Sequence, residues 1–351
     1  MERRVAFLDG VKGFGILSII LGHVFIPGWN DFLFLYHLPI FFLLAGYFTS
    51  AKRPMKAFAG NRARRLLVPY AVTAALIVLF SIPKSLAEHT SVVSGLKKWG
   101  LAALQGVGVE PKIVFHMESI GAIWFLWALF WASLLLRFLI STEYRYFRLA
   151  AVLALFVTGV ISIRTVFLPL SIQPAFAALL WMYVGWLVRQ GKEYIARETE
   201  AGTAFGEAYE TYHRAAFGAL FLFALSLFLH AAFRYRPFLM VSATFDGGLL
   251  GILGSFAGSA VVFGTVWFLY RWKDRFLKPV CLALTWLGQN SLLLLCVHII
   301  EQDLIPWKHY YGAAGLEGAA FYAAVFFSKL AFVLAAGFLV SKTPANKLFT
   351  G

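Results

Sequence analysis

Runs of about twenty predominantly apolar residues recur along the whole of this chain, each long enough to cross a lipid bilayer as a helix. Bounded by Pro, Gly and charge, they fall near 12–29, 31–50, 66–83, 120–139, 149–168, 174–190, 216–233, 249–270, 280–300 and 318–341. A soluble fold of 351 residues buries the faces of its elements, whereas these runs are apolar all round. Composition agrees: 60% of the residues are hydrophobic and 14% charged, against about 45–50% and 25% in soluble domains. Lipid leaves the backbone a choice between helices and closed barrels, and the alternating ten-residue strands of a barrel are absent. The expected fold is all-α: a polytopic integral membrane protein of about ten transmembrane helices, forming one domain over 1–351 with no appended soluble domain.

A net charge of +14 raises the question of nucleic acid, but the basic residues sit in short clusters between apolar runs rather than on one face. That pattern reports topology. Of 31 Lys and Arg, 22 fall in one alternate set of connections: 3–12, 52–65, 137–148, 189–214, 271–278 and 342–347. The opposite set holds 8, and Lys329 lies within the last span. The positive-inside rule then places both termini in the cytoplasm of a multi-pass protein of the plasma (inner) membrane. The first run ends at Pro27-Gly28 without a small-residue cleavage motif, so it is expected to be retained. Of the two long connections, 84–119 is expected outside and 191–215 inside, the latter either as a polar helix lying near the surface or, as its mixed charge favours, as a solvated segment. Cys281 and Cys296 lack the spacing of a metal site, and neither a metal nor a disulfide is expected.

Ionisable groups inside a bilayer cost a few kcal/mol on insertion scales, so each calls for an explanation. In the first run, LDGVKGFGILSIILGHVF, Lys12 and His23 are 11 residues apart, which returns to within about 20° of the same helix face about 16 Å further along. Asp9 is placed to pair with Lys12 at i,i+3. His23 reads either as a structural histidine bonded to a neighbouring helix or as a functional one; its setting and its pairing with Lys12 favour function. His37 lies about as far past the Pro27–Asn30 turn as His23 lies before it, so a tight hairpin brings both imidazoles to similar depth. It serves either a substrate or the backbone carbonyl freed by Pro39. Arg62, Arg64 and Arg65 obey the positive-inside rule and also carry the paired donors that clamp phosphates. Trp124 fits an aromatic belt, and Gln289, Asn290 and Ser291 fit interhelical hydrogen bonding. His298 shares that ninth span. Lys329 has about three turns of apolar neighbours on either side and requires a partner or a wet cavity.

Taken in order, these motifs resemble acyltransferase family 3, the membrane-bound bacterial enzymes that O-acylate carbohydrates, and within it the short fucose-4-O-acetylase-like branch. The opening Arg3, Leu8, Asp9, Lys12 and His23 resemble its first helix, and YHLPIFFLLAGYF resembles its second. RARRLLVPY, the WFL of Trp124, and GQNSL followed by His298 complete a resemblance that covers nearly the whole chain. It implies that the family's essential basic residue and histidine fall on Lys12 and His23, the expected catalytic pair. This chain has lysine where many members have arginine, which keeps the charge and loses the bidentate fork. It also has Ala45 where the second-helix motif often has serine.

The chemistry the resemblance implies is O-acyl transfer, with acetyl as the expected group and acetyl-CoA or another acyl-CoA as donor on the cytoplasmic side. Arg62, Arg64 and Arg65 are the expected contacts to its phosphates. His23 serves as general base toward a carbohydrate hydroxyl, with an acyl-histidine relay as the variant. His37, Trp124, Asn290, Ser291, His298 and Lys329 are the candidate substrate contacts. With no soluble acyl-passing domain, the natural acceptor is a cell-surface or lipid-linked glycan that meets the membrane domain directly. The competing class is a transporter or exporter of a small anion or glycan, with Lys329 and the histidines lining its path.

Overall fold

The computed structural model describes residues 6–110, 116–234, 238–272 and 276–350; Arg3, the first residue of the opening motif, lies outside them. The described chain is almost entirely helical. α1 (Ala6–Gly22), α2 (Asn30–Phe34) and α3 (Pro39–Tyr47) precede the long α4 (Met55–Ala87) and the outer α5 (Val92–Gln105). α6 (Trp124–Leu139), α7 (Arg145–Ser162), α8 (Ile172–Glu200) and α9 (Ala204–Arg234) follow. A two-stranded ribbon, β1 (Phe238–Leu239) and β2 (Thr244–Phe245), leads to α10 (Gly248–Arg271), α11 (Lys278–Gln289) and α12 (Ser291–Leu304). α13 (Trp307–Ala313), α14 (Gly318–Ser341) and α15 (Lys347–Thr350) complete the order.

Each apolar run read from the sequence contains helix, but 23–29 at the end of the first and 163–168 at the end of the fifth fall in turns and irregular chain. Among the described residues, seven helices are long and apolar enough to cross a membrane, or eight when the bent pair α11 and α12 is taken as one. α1, with 17 residues, and α8, with Gln173 and Arg189 at the ends of its apolar stretch, fall outside that count.

Three expected elements differ from the sequence reading. The ninth span is not one rod: α11 and α12 meet at a 75° bend. Asn290 sits at the break and turns its side-chain amide back onto the Trp286 carbonyl at 2.9 Å, beside its own backbone N–H on the same oxygen at 3.1 Å. Such back-bonding competes with helix propagation. The second span is interrupted over 35–38, because Pro39 has no N–H to donate and its ring excludes the carbonyl one turn earlier. Finally, the charged 191–215 stretch, expected as a solvated segment or a polar helix, is mostly helical. α8 and α9 run on through it and turn at 201–203, where Thr203 Oγ1 accepts from the Gly206 N–H at 3.2 Å.

α1 is the axis of the bundle. It packs against α3, α10, α11, α12 and α14, and Leu8, Val11, Ile16, Ile19 and Ile20 are all buried around it. The α1–α11 approach is backbone-close: a Cβ on Gly13 would strike the Leu284 carbonyl, and one on Gly288 the Asp9 carbonyl. Without a hydrophobic drive between helices in lipid, such small-residue contacts carry the packing. α7 lies at the periphery, with 11% of its apolar window buried against 61% for α6. At one end of the bundle, buried Arg137 of α6 donates to the Ala51 and Arg53 carbonyls at 2.8 and 2.6 Å, fixing the turn before α4. At the other end of α4, Lys84 Nζ donates to the Asp303 carbonyl at 2.7 Å, tying α4 to the end of α12.

Gly288→Ala should therefore force α1 and α11 apart and lower stability by about 1–3 kcal/mol. Gly218→Ala, with open space around it, should leave stability unchanged or slightly raised. Thermal unfolding in detergent compares the two.

Candidate active site

His23 follows the last residue of α1. Its ring Nδ1 lies 2.8 Å from the Ile19 carbonyl. A carbonyl oxygen only accepts, so this geometry assigns the proton to Nδ1 and leaves Nε2 with its lone pair. The α1 helix builds this arrangement itself, since residue i−4 offers its carbonyl where the helix stops. Half-buried, His23 is reachable. Phe25, in the left-handed region at φ 56°, sets its ring edge-on at 6.0 Å from the imidazole. Lys308 lies over Phe25 at 5.3 Å, and its ammonium is held below the ordinary lysine value by partial burial and then by the like charge of Lys329.

Behind His23 stands a chain of buried polar groups. His298 Nε2 is 3.2 Å from His23 Nδ1, and the ring centroids are 5.0 Å apart. His298 Nδ1 is 3.1 Å from Glu301 Oε2, one turn along α12. Lys329 Nζ reaches down from α14 to Glu301 Oε1 at 3.1 Å and Oε2 at 3.4 Å. Trp307 Nε1 donates to Oε1 at 2.5 Å. His298 and Glu301 are fully buried and Lys329 is 5% exposed. One carboxylate and one ammonium cancel, so the cluster adds no net charge to the membrane interior, which limits its cost.

The structure thus joins three of the sequence candidates, His23, His298 and Lys329, through a fourth residue that sequence reasoning missed. Glu301 was hidden because it was assigned to the outer connection 301–317, one residue past the apolar run. Two signals pointed to it: the i,i+3 spacing from His298, and the need of Lys329 for a counter-charge. His298 and Lys329, expected as substrate contacts, are both buried and bonded to Glu301.

The other candidates lie apart. Lys12 is not beside His23; it sits about 16 Å down α1, bonded to Asp9 at 2.9 Å as its i,i+3 spacing foretold. Gln289 reaches the other Asp9 oxygen at 3.5 Å, so α11 supports the pair. His37 is buried, its Nδ1 2.8 Å from the Leu33 carbonyl and its ring 4.9 Å from Phe34. This is the backbone-serving geometry, yet it leaves Nε2 unassigned, and His37 lies within electrostatic reach of His23. Trp124 is buried at the start of α6, its ring filling the space above Gly108, rather than at a lipid interface. Asn290 is held at the helix break and Ser291 opens α12. Arg62, over the Phe58 ring at 5.3 Å, feels Arg65 electrostatically, while Arg64 and Arg65 are exposed. Among the described residues, no three His, Cys, Asp or Glu side chains converge as a metal site.

A half-buried imidazole backed by a buried polar chain thus sits inside a bundle of apolar helices, seven of them among the described residues long and apolar enough to cross a membrane. The acyltransferase 3 family model, described as an acyltransferase domain, matches residues 5–341, and the chain belongs to that family. It is similar to the nodulation protein NolL of Sinorhizobium fredii (strain NBRC 101917 / NGR234), at 26% identity over 151 residues, 39% of this chain. The match spans 36% of that relative's length. No solved structure matches.

Lys329→Met should destabilise the protein by about 3–5 kcal/mol, because it strands a buried carboxylate. The double variant Lys329→Met/Glu301→Gln should recover most of that loss. A double-mutant cycle of unfolding temperatures in detergent measures the coupling; additive effects would count against the pair.

Proposed function

We propose that the chain is a multi-pass plasma-membrane O-acyltransferase that moves an acyl group, in the simplest case acetyl, from cytoplasmic acyl-CoA to a hydroxyl of a cell-surface or lipid-linked carbohydrate. In this reading all ten apolar runs cross the membrane and both termini are cytoplasmic. The observation that carries it is the state of His23: Nδ1 is occupied by the Ile19 carbonyl, so the free Nε2 lone pair is a ready general base on a reachable ring.

The steps balance without another reactant. His23 Nε2 takes the hydroxyl proton as the oxygen attacks the thioester carbonyl. The C–S bond breaks, and the thiolate takes the proton back from Nε2 to leave as the CoA thiol. A positioned general base of this kind contributes about 10²–10⁴ in rate. Lys12 and the Arg62, Arg64 and Arg65 cluster are the cations for the donor's phosphates, with Arg62 and Arg65 on one face of α4. The donor's arm then extends along α1 toward His23. His37 is placed to orient the acceptor, while Trp124, Asn290 and Ser291 shape the walls.

A transport reading has one observation in its favour, the broken helix at Asn290, since discontinuous helices often line transport paths. Flux of glycan or anion through purified protein in liposomes, in the absence of any acyl donor, distinguishes it.

His23→Ala should remove acyl transfer by at least about 10²-fold while leaving membrane insertion and unfolding temperature nearly unchanged. Mass spectrometry of surface glycans from cells carrying either form reads the acyl group directly. Equal collapse of transfer and stability would make His23 structural.

A further inference from the structure

Resting on the general-base reading of His23, we infer that the base is a two-histidine relay: a proton taken at His23 Nε2 releases the Nδ1 proton onto His298, where Glu301 holds the charge. The relay is set by which atoms face which. His298 Nδ1 faces a carboxylate at 3.1 Å, so it carries its own proton and donates. That leaves His298 Nε2 bare and aimed at His23 Nδ1, 3.2 Å away. The single hydrogen on His23 Nδ1 is therefore shared between two acceptors, the Ile19 carbonyl at 2.8 Å and His298 Nε2. In the resting state every donor in the chain has an acceptor, and the only bare nitrogen lies on the reachable side of His23.

Protonation of His23 Nε2 creates an imidazolium in a low-dielectric interior, where a charge without a counter-ion is costly. Moving the Nδ1 proton about one hydrogen-bond length onto His298 Nε2 transfers the positive charge to the ring that touches Glu301. When the thiolate leaves, the proton returns from His298 Nε2 to His23 Nδ1, and His23 Nε2–H is given to sulfur. No proton is lost to solvent, which His298, fully buried, does not reach.

Lys329 and Trp307 complete the device. A buried carboxylate facing His298 alone would hold that ring protonated, with its Nε2 occupied and unable to receive. Lys329, on both carboxylate oxygens, offsets part of the negative charge, and Trp307 holds Oε1 in place. Other charged or titratable groups near the cluster are Lys308, through Phe25, the His37 ring on the α2–α3 turn, and Asp303, which lies within electrostatic reach of Glu301 and Lys329. His298 touches no reacting atom; it is a positioning residue that stores a proton. The catalytic residue remains His23.

The discriminating variant is His298→Gln, whose side-chain oxygen reaches the place of Nε2 and accepts from His23 but cannot hold a proton. Membranes from expressing cells, supplied with radiolabelled acetyl-CoA and their endogenous acceptor, give the rate, the KM for acetyl-CoA and the proton inventory in H2O/D2O mixtures. The relay predicts a kcat lowered about tenfold to hundredfold, KM within twofold, an unfolding temperature that falls but stays above the assay temperature, and an inventory that is curved in the parent and linear in the variant. A kcat within threefold of the parent, or an inventory still curved, overturns it. If His298→Gln does not fold, His298→Asn, which keeps the donor to Glu301, is read in the same way. The His23→Ala arm separates the two levels of argument: full activity there defeats the general-base reading, whereas an inactive His23→Ala beside a fully active His298→Gln defeats the relay alone.

Discussion

A single buried carboxylate organises the functional half of this bundle. Glu301 receives hydrogen bonds from α12 itself, through His298, from the start of α13, through Trp307, and from α14, through Lys329. In a membrane interior none of these groups has water to fall back on, so each depends on the others. Because His298 also meets His23, the same carboxylate ties α12 and α14 to the end of α1. The ion pair is thus both a structural clamp and the electrostatic ground on which the imidazole pair stands.

The rest of the fold serves to hold α1 still. Glycine contacts let α11 press backbone to backbone against it, and the sharp turn at Asn290 redirects the chain so that α12 presents His298 where α1 ends. A straight ninth helix would keep to one line along α1. Two positive regions lie elsewhere in the bundle. One is Lys12, steadied by Asp9 and Gln289, and the other is the arginine cluster on α4. The family to which the chain belongs is one of acyltransferases, and an imidazole whose Nδ1 is held by the Ile19 carbonyl suits proton transfer.

Much of this was legible in the sequence, and the gaps have physical causes. Length and apolarity located the helices because lipid admits little else. The cost of an intramembrane lysine marked Lys329 as needing a partner, and the spacing of Asp9 and Lys12 identified their pair. The partner of Lys329 escaped because hydropathy windows end at the first acidic residue, and Glu301 is that residue, drawn inward by a counter-charge 28 positions away. The break at Asn290 escaped because an amide reads as interhelical glue until the backbone shows which carbonyl it takes. Of the two readings open for the charged 191–215 stretch, a polar helix and a solvated segment, the structure shows helix, supported by pairs such as Arg189 and Glu193.

The account's central claim is that His23 presents an unprotonated Nε2 to an accessible space shared with the acyl donor. Carbethoxylation by diethyl pyrocarbonate, which requires an accessible neutral imidazole nitrogen, tests this directly when followed by peptide mass spectrometry. The account predicts that His23 is modified alongside exposed His116 and His309, that His298 is not, and that CoA protects His23 alone. An unmodified His23 under conditions that label His116 and His309, or labelling indifferent to CoA, would contradict it.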